Sequence, residues 1–577
     1  MRRWCLVGTA TSGKTAGTGE QSAPGDGYKW VALTNTTVGV LLATIDSSIM
    51  LIAMPEIFRG IALDPLQPGN SAYLLWMILG YLVTGSALVV SVGRLGDLFG
   101  RVRMYNLGYV IYTVASLLLT IDWMSGHAGA LWLLGWRVVQ GIGGAFLVGN
   151  SGAILTDVFP THQRGLALGI NNVAGISGTF IGLVLGGLLA PISWRLVFLV
   201  SVPCGIFGGV WAWRKLRDIG ARSGEPVDWL GNVTFAAGLV LVMIGVTHGI
   251  QPHGGHPMGW TGPLVIGSVV AGTALLVAFG VIETRVRFPM FRLQLFKIRA
   301  FTFGTLSTFL SALGRGGLMF MMIIWLQGIW LPLHGYSFEA TPLWAGIHML
   351  PLIVGFLLAG PVSGYLSDRF GARPFATTGM VVSAIAFLLL ELLPINFSYP
   401  AFAAIILLNG LAMGCFAAPN RAAVMNSLPA RHRGAGGGMN STFQNSAQVF
   451  SIGIFFSLMI AGLAAALPEA MTNALEAHHV PAEVAIAVGQ RPPVSVLFAA
   501  FLGYNPIEHL VGSQVLAQLP PADAAALTGH TFFPNLISGP FETGLHIAFG
   551  FAIGACLVAA AASLSRGTKY VATDPES

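Results

Sequence analysis

The sequence predicts an all-α integral membrane protein: two six-helix bundles with two further helices inserted between them, fourteen transmembrane helices in total. Three observations predict it. Of 577 residues, 54% are hydrophobic and 9% charged, against roughly 25% charged in an average globular chain, and the mean hydropathy is +0.73. So few charges cannot cover a soluble surface of this size. The apolar residues fall into fourteen continuous runs, each near the roughly 20 residues that a helix needs to cross the bilayer. Finally, one short loop recurs eight spans further along the chain. The runs are long and unbroken, which excludes a barrel of alternating ten-residue strands.

Taken in order, the first 29 residues lack an apolar run long enough for a signal peptide and read as a disordered tail. Within it, Gly8 to Thr15 (GTATSGKT) matches the P-loop pattern letter for letter. That chemistry needs a strand before the loop and a helix after it. Neither is expected in a Gly/Ser/Thr-rich tail, so no nucleotide site is assigned. The spans follow at about 31–54, 73–92, 104–121, 130–156, 166–190 and 196–213 (first bundle, 30–213). An insertion at 214–299 holds 229–248 and 261–282. The second bundle (300–565) holds 300–327, 342–366, 374–393, 401–425, 435–465 and 541–564, and a tail of 566–577 closes the chain.

Charge orients the spans. The N-terminal tail and alternate loops hold 23 of the 29 basic residues, and the opposite loops only Arg59, Arg195 and Arg491. Positive charge marks the cytoplasmic side, so both termini are expected to be cytoplasmic in a plasma (inner) membrane. The net charge of +6 is therefore a topology signal, and no nucleic-acid partner is expected. Arginine-rich, Ala- and Gly-rich composition points to a bacterium. The four cysteines lie in the tail and in apolar runs, so no disulfide framework is expected.

The repeated loop reads GRLGDLFGR at 93–101 and GYLSDRFGA at 364–372, with five of the first eight positions identical. Repeats of this kind build many secondary transporters, with the substrate site near the midplane between the halves. In each copy the glycines, Gly93 and Gly100 or Gly364 and Gly371, permit a tight turn. Asp97 is expected to cap the next helix or to pair with Arg101, and Asp368 holds the same place in the second copy. Such loops act either as gates, making and breaking a tie on the inner side, or only as topology clamps.

These residues resemble the signature loop of the major facilitator superfamily. The six-plus-two-plus-six plan is similar to its fourteen-span drug:proton antiporter branch, the Emr/Qac type, over nearly the whole chain. Three further segments resemble that branch: Ile45 to Pro55 in span 1, Arg137-Val138-Val139-Gln140-Gly141 in span 4, and Gly178 to Gly187 in span 5. The last resembles the antiporter motif, except that Leu183 stands where proline is usual. The resemblance implies proton-driven transport without ATP or another cofactor, and a role for Arg137 in proton transfer.

An ionisable residue at bilayer depth is costly, about 2.5–3.5 kcal/mol on insertion scales. Few are present. Asp46 is the carboxylate well inside a span, and it is read as a proton-coupling group or as a fixed partner of Arg137 or a hydroxyl. Arg137 is a proton-transfer aid or a helix-to-helix donor, and Gln140, three residues on, shares its face. Arg315 lies near the middle of span 9 between glycines. It is read as a cavity residue meeting an anionic or zwitterionic substrate group or Asp46, against a structural contact to a carbonyl. Asn440, Gln444 and Asn445, in a polar stretch of span 13, line a cavity or act as hydrogen-bonding glue. The small-residue stripe Gly178, Gly182, Gly186, Gly187 allows a neighbouring span to approach closely. Scattered histidines give no metal site, and no nucleophile-base pair points to an enzyme.

Between spans 13 and 14, residues 466–540 form a long outer loop of the kind that is usually functional or disordered. Its apolar run Val494 to Tyr504 is expected to lie on the outer membrane surface as an interfacial helix, and the loop 466–540 as a whole is expected to contact an extracytoplasmic partner or lipid. The whole reads as a monomer that exports lipophilic or amphiphilic small molecules in exchange for protons. The alternatives are an exporter of an envelope lipid or amphiphile working with such a partner, an uptake transporter, and a non-transporting receptor.

Overall fold

The computed structural model describes residues 26–64, 66–67, 69–160, 163–219, 228–289, 291–429, 433–502 and 505–567. The P-loop-like segment 8–15, most of the tail 1–29 and most of the tail 566–577 lie outside them.

Among the described residues, fourteen helices are long and apolar enough to cross a membrane. They are span 1, Gly27–Gly60; span 2, Asn70–Phe99; span 3, Arg101–Thr120; span 4, Gly126–Val158; span 5, Leu166–Leu189; span 6, Trp194–Lys215; span 7, Trp229–Gly249; span 8, Pro263–Arg285; span 9, Arg299–Leu333; span 10, Thr341–Phe370; span 11, Ala372–Glu391; span 12, Tyr399–Asn426; span 13, Ala435–Ala477; and span 14, Phe532–Leu564. Each apolar run in the sequence coincides with one of these helices, overrunning its bounds by at most two residues. The end of the molecule that carries the described ends of the chain is called inner below, and the opposite end outer.

Several helices run past their apolar stretch. Span 13 continues to Ala477 through an Ala-rich segment, since helix propensity does not stop where the membrane does. The long outer segment is thus 478–531, shorter than the 466–540 expected, and it is mostly helical: Ala482–Gly489, Pro493–Phe501, Ile507–Val511, Ser513–Leu516 and Pro521–Thr528. Its apolar run does not lie on the membrane surface. Helix Pro493–Phe501 bends 84° away from Ala482–Gly489 and enters the protein, with Val494, Val496, Phe498 and Ala499 all fully buried. A helix apolar on every side has no face to give to water or head groups, and burial is its stable solution.

One continuous apolar core joins the outer halves of the two bundles. It takes in Ile52, Phe58, Leu74 and Leu183 from the first bundle, Phe320, Trp325, Ala345 and Phe456 from the second, and Phe498 and Phe501 from the re-entrant helix. Towards the inner end the cores separate: Tyr105, Tyr109, Leu147 and Ala212 in the first bundle, and Ala376, Met380, Phe416 and Ala559 in the second. The shared core is therefore largest at the outer end, while at the inner end the bundles meet at smaller contacts, such as Gly438 against Val90. The inserted spans 7 and 8 pack on each other and close one seam. Span 7 bridges spans 2 and 13, with Trp76 Nε1 donating to Thr247 Oγ1 at 3.2 Å and Met243 and Val246 set against Gly453.

The small-residue stripe of span 5 packs on span 1, where an added Cβ at 178, 182 or 186 would meet the carbonyls of Leu41, Ile45 and Ile49. Span 5 runs unbroken through Leu183, which is fully buried and lies against Gly346 of span 10. Gly187 faces Leu343 of the same span. These contacts across the bundles all lie at the outer end.

Candidate functional site

The first bundle holds a closed network of polar side chains at mid-depth. Asp46 comes from span 1, Arg137 and Gln140 from span 4 and Ser116 from span 3. Because residues three apart share a helix face, Arg137 and Gln140 reach the same carboxylate. Arg137 Nη1 donates to Asp46 Oδ2 in a buried ion pair, and also to Gln140 Oε1 at 2.7 Å. Gln140 Nε2 donates to Asp46 Oδ1 at 3.0 Å and to Ser116 Oγ at 2.9 Å. Arg137 Nε donates to the Met77 carbonyl at 3.2 Å, and its guanidinium lies 4.7 Å from the Tyr81 ring centre. None of Asp46, Arg137 and Gln140 is more than 1% exposed. Both carboxylate oxygens are used, so a buried charge is balanced and hydrogen-bonded, as burial requires. Ser116 was not singled out in the sequence, where a serine in an apolar span carries no signal by itself.

Arg315 does not meet Asp46 in this conformation. Its Nε donates to the Ser311 carbonyl at 3.1 Å and its Nη2 to Ser311 Oγ, while the guanidinium faces Phe416 with 5.6 Å to the ring centre. Its Nη1 is buried without an acceptor. The polar residues of span 13 do not act as one group. Asn440 is buried with Oδ1 unpartnered, Asn445 is half-buried, and Gln444 and Gln448 are exposed. The exposed pair faces away from the packed core.

At the inner end of the first bundle, the repeated loop carries a set of ion pairs. Gly100 has φ +107 and Gly371 φ +85, the left-handed region in which glycine carries no steric penalty. Asp97 pairs with Arg101 at 2.8 Å, and Arg101 also reaches Asp157 of span 4. Asp97 does not cap span 3. That role falls to Asp218, which accepts from the Val102 backbone N–H at 2.7 Å. Gly93 lies beside Gly149 of span 4, with its Cβ position 3.9 Å from that carbonyl, and Gly364 likewise faces Ala418 of span 12. Asp368 holds the corresponding place in span 10, where position 372 is alanine and not arginine. Between the bundles near the inner end, Arg421 Nη1 donates to Asn172 Oδ1 at 3.0 Å. Neither residue stood out in the sequence, since their meeting depends on how the bundles lean together.

At the outer end the re-entrant helix seals the seam. Phe498 and Phe501 stack with Phe456 and Phe320 at 5.5 and 5.4 Å between ring centres, Arg59 Nη2 donates to the Leu502 carbonyl at 3.2 Å, and Ala500 lies on Gly328, inside a π-helical turn of span 9, Leu326–Trp330. A single π turn inside a long helix frequently marks a functional point. Among the described residues no group of three or more His, Cys, Asp or Glu is arranged to hold a metal ion.

The family model described as Major Facilitator Superfamily matches residues 36–452 and 304–571. The chain is 26% identical over 562 residues to a tetracenomycin C resistance and export protein of Streptomyces glaucescens, covering 97% of this chain and 95% of that one. It is 26% identical over 438 residues to the riboflavin transporter RibZ of Clostridioides difficile, covering 75% and 88%. Among solved structures, a bacterial homologue of the human lysosomal transporter Spinster superposes with a TM-score of 0.58 at 15% identity, over 94% of this chain and 99% of that one.

Proposed function

The chain belongs to the major facilitator superfamily, a family of transporters and not enzymes, and on that premise we propose that it exports lipophilic or amphiphilic small molecules in exchange for protons by alternating access. The observation that carries the reading is the Asp46–Arg137–Gln140 network: a carboxylate fully enclosed in the first bundle, whose charge is held by one removable partner. Substrate enters from the inner end, where the shared apolar core gives way to separate ones. Opening the outer end requires spans 5 and 10 to part and helix Pro493–Phe501 to withdraw. Asp46 then takes a proton from outside as substrate leaves, Arg137 is released, and the proton is given up inside on return. One charge moved through 100 mV supplies about 2.3 kcal/mol, enough to hold a neutral substrate at roughly a 50-fold gradient at 1.4 kcal/mol per tenfold. The membrane is the bacterial inner membrane with both termini inside, in keeping with the placement of the basic residues.

The test is flux in reconstituted vesicles under an imposed pH gradient, comparing wild type with Asp46→Asn. Gradient-driven flux is expected in the wild type alone, and equal gradient-driven flux in the mutant would remove Asp46 from coupling. In cells, dissipating the gradient raises substrate accumulation if the protein exports and lowers it if the protein takes substrate up.

A further inference from the structure

Two histidines at the outer end share one tryptophan ring. Trp330 closes the π-helical turn of span 9, donates from Nε1 to the Phe397 carbonyl at 2.9 Å and stacks on the Phe397 ring with 5.0 Å between centres. His334 stacks on Trp330 at 3.9 Å, and His348 of span 10 stands 5.5 Å from it. Tyr399 of span 12 at 4.3 Å, Trp344 at 5.9 Å and Tyr336 at 6.4 Å complete an aromatic cage around His348, which is 7% exposed. His334 is exposed. Each imidazole has its tautomer set by a carbonyl, which can only accept: His348 Nδ1 donates to Trp344 at 2.7 Å and His334 Nδ1 to Trp330 at 2.8 Å. Nε2 is therefore where a second proton goes.

No anion is at hand to balance that proton. The titratable groups facing His348 are His334, Tyr336 and Tyr399. Among the described residues, Glu339 in the connection to span 10 and Glu391 at the end of span 11 form no ion pair with either imidazole. Span 1 touches the same segment, but its Glu56 and Arg59 pair with each other at 2.7 Å. Span 5 has no titratable residue between Gly178 and Leu189.

The cage stands beside both parts of the outer seal. Span 10 breaks directly after His348, into Thr341–His348 and Leu350–Phe370, because Pro351 has no N–H to offer the Ile347 carbonyl. The outer piece carries the contacts with span 5, Leu343 on Gly187 and Gly346 on Leu183. The π turn that ends at Trp330 holds Gly328, on which Ala500 of the re-entrant helix rests. Uncharged, His348 fills the cage as one more aromatic ring. Charged, it is an enclosed cation without a carboxylate, and a charged His334 on the same Trp330 ring repels it. Ring faces attract a cation, but they return less than an unpaired buried charge costs. The charged ring moves out towards water, and the piece Thr341–His348 turns about the break with it.

We propose that His348 and His334 form a pH switch that releases the outer seal when the outer side turns acidic. The switch acts on the seal and not on a substrate, so it does not rest on the export reading.

The test is double electron-electron resonance on the purified full-length protein in phosphatidylcholine nanodiscs. Cys5, Cys204, Cys415 and Cys556 are replaced by alanine, and spin labels are placed at Ile192→Cys and Leu392→Cys, one on each bundle at the outer end, where the native side chains are 74% and 71% exposed. From pH 8 to pH 5, across the usual histidine range, the population at the longer distance is expected to grow roughly 3-fold or more. His348→Gln and His348→Phe, the second keeping a ring in the cage, are each expected to hold the pH 8 distribution at both pH values. Asp46→Asn, which removes the buried carboxylate of the first bundle, is expected to leave the response in place. A wild-type distribution that does not change with pH overturns the proposal, as does a response that survives in His348→Phe protein with a wild-type melting point. A response lost in Asp46→Asn and kept in His348→Gln places the trigger in the first bundle and overturns it as well.

Discussion

Removing Arg137 while keeping Asp46 is the sharpest perturbation of the buried network. Arg137→Met keeps the bulk and removes the charge, leaving a carboxylate with no exposed surface and a single remaining donor, Gln140. It also frees the Met77 carbonyl and empties the space over Tyr81. Breaking a buried ion pair by removing one partner costs about 3–5 kcal/mol. For a unit the size of the first bundle, roughly 2–4 °C of melting temperature per kcal/mol gives a fall of about 6–20 °C. The double variant Asp46→Asn with Arg137→Met carries no buried charge, and neutral replacement of a buried pair is often without cost. It should therefore recover most of the loss, although each single variant is destabilised. The assay is thermal unfolding of the purified protein by tryptophan fluorescence, read as a double-mutant cycle. A double variant no more stable than Arg137→Met, or an Arg137→Met protein melting within about 2 °C of wild type on the same scale, would refute the account of Asp46 as a paired charge.

Three further outcomes are expected. Gly182→Leu places a side chain against the Ile45 backbone and Ser48 and should abolish the monodisperse folded protein in size-exclusion chromatography, whereas Gly554→Ala, with nothing within 4 Å of the added atom, should not. Gly328→Cys with Ala500→Cys brings two Cβ atoms to 3.6 Å, within the 3.5–4.5 Å typical of a disulfide. Oxidation should lock the outer seal and stop flux until reductant is added, and full flux from the cross-linked protein would show that the re-entrant helix does not move. In the outer segment, His478 and His479 donate to Asp523 at 3.1 and 2.9 Å and hold its carboxyl below the usual range. A depressed acid contributes stability above its ordinary pKa and loses it as pH falls through the lowered value. The tie should thus persist at pH 5, and at that one pH hydrogen exchange near 478 and 523 should be faster in Asp523→Asn than in wild type; equal exchange would show that the tie does not hold the segment.

Legibility from the sequence followed the range of each interaction. The helices, the repeat and the glycine turns at 100 and 371 were readable because they depend on neighbours along the chain. Asp46, Arg137 and Arg315 stood out because charge is rare at bilayer depth. The residues around them did not: Ser116, which receives a bond from Gln140, and Met77, whose carbonyl receives Arg137, are ordinary residues given meaning only by what the fold brings beside them. The run Val494 to Tyr504 was legible as apolar but not as buried, since an apolar run fits a membrane surface and a protein interior equally well.

The sequence by itself determined the solvent, the fourteen spans, the orientation expected from the basic residues and the two-bundle plan, because hydrophobic length and charge placement act span by span. Only the tertiary structure decided that Asp46 is matched by Arg137 while Arg315 has no carboxylate, and that the outer segment turns back to seal the bundles. Both depend on which helix faces which. Packing fixes that through contacts between residues hundreds of positions apart, such as Arg59 with Leu502, and no local pattern encodes them.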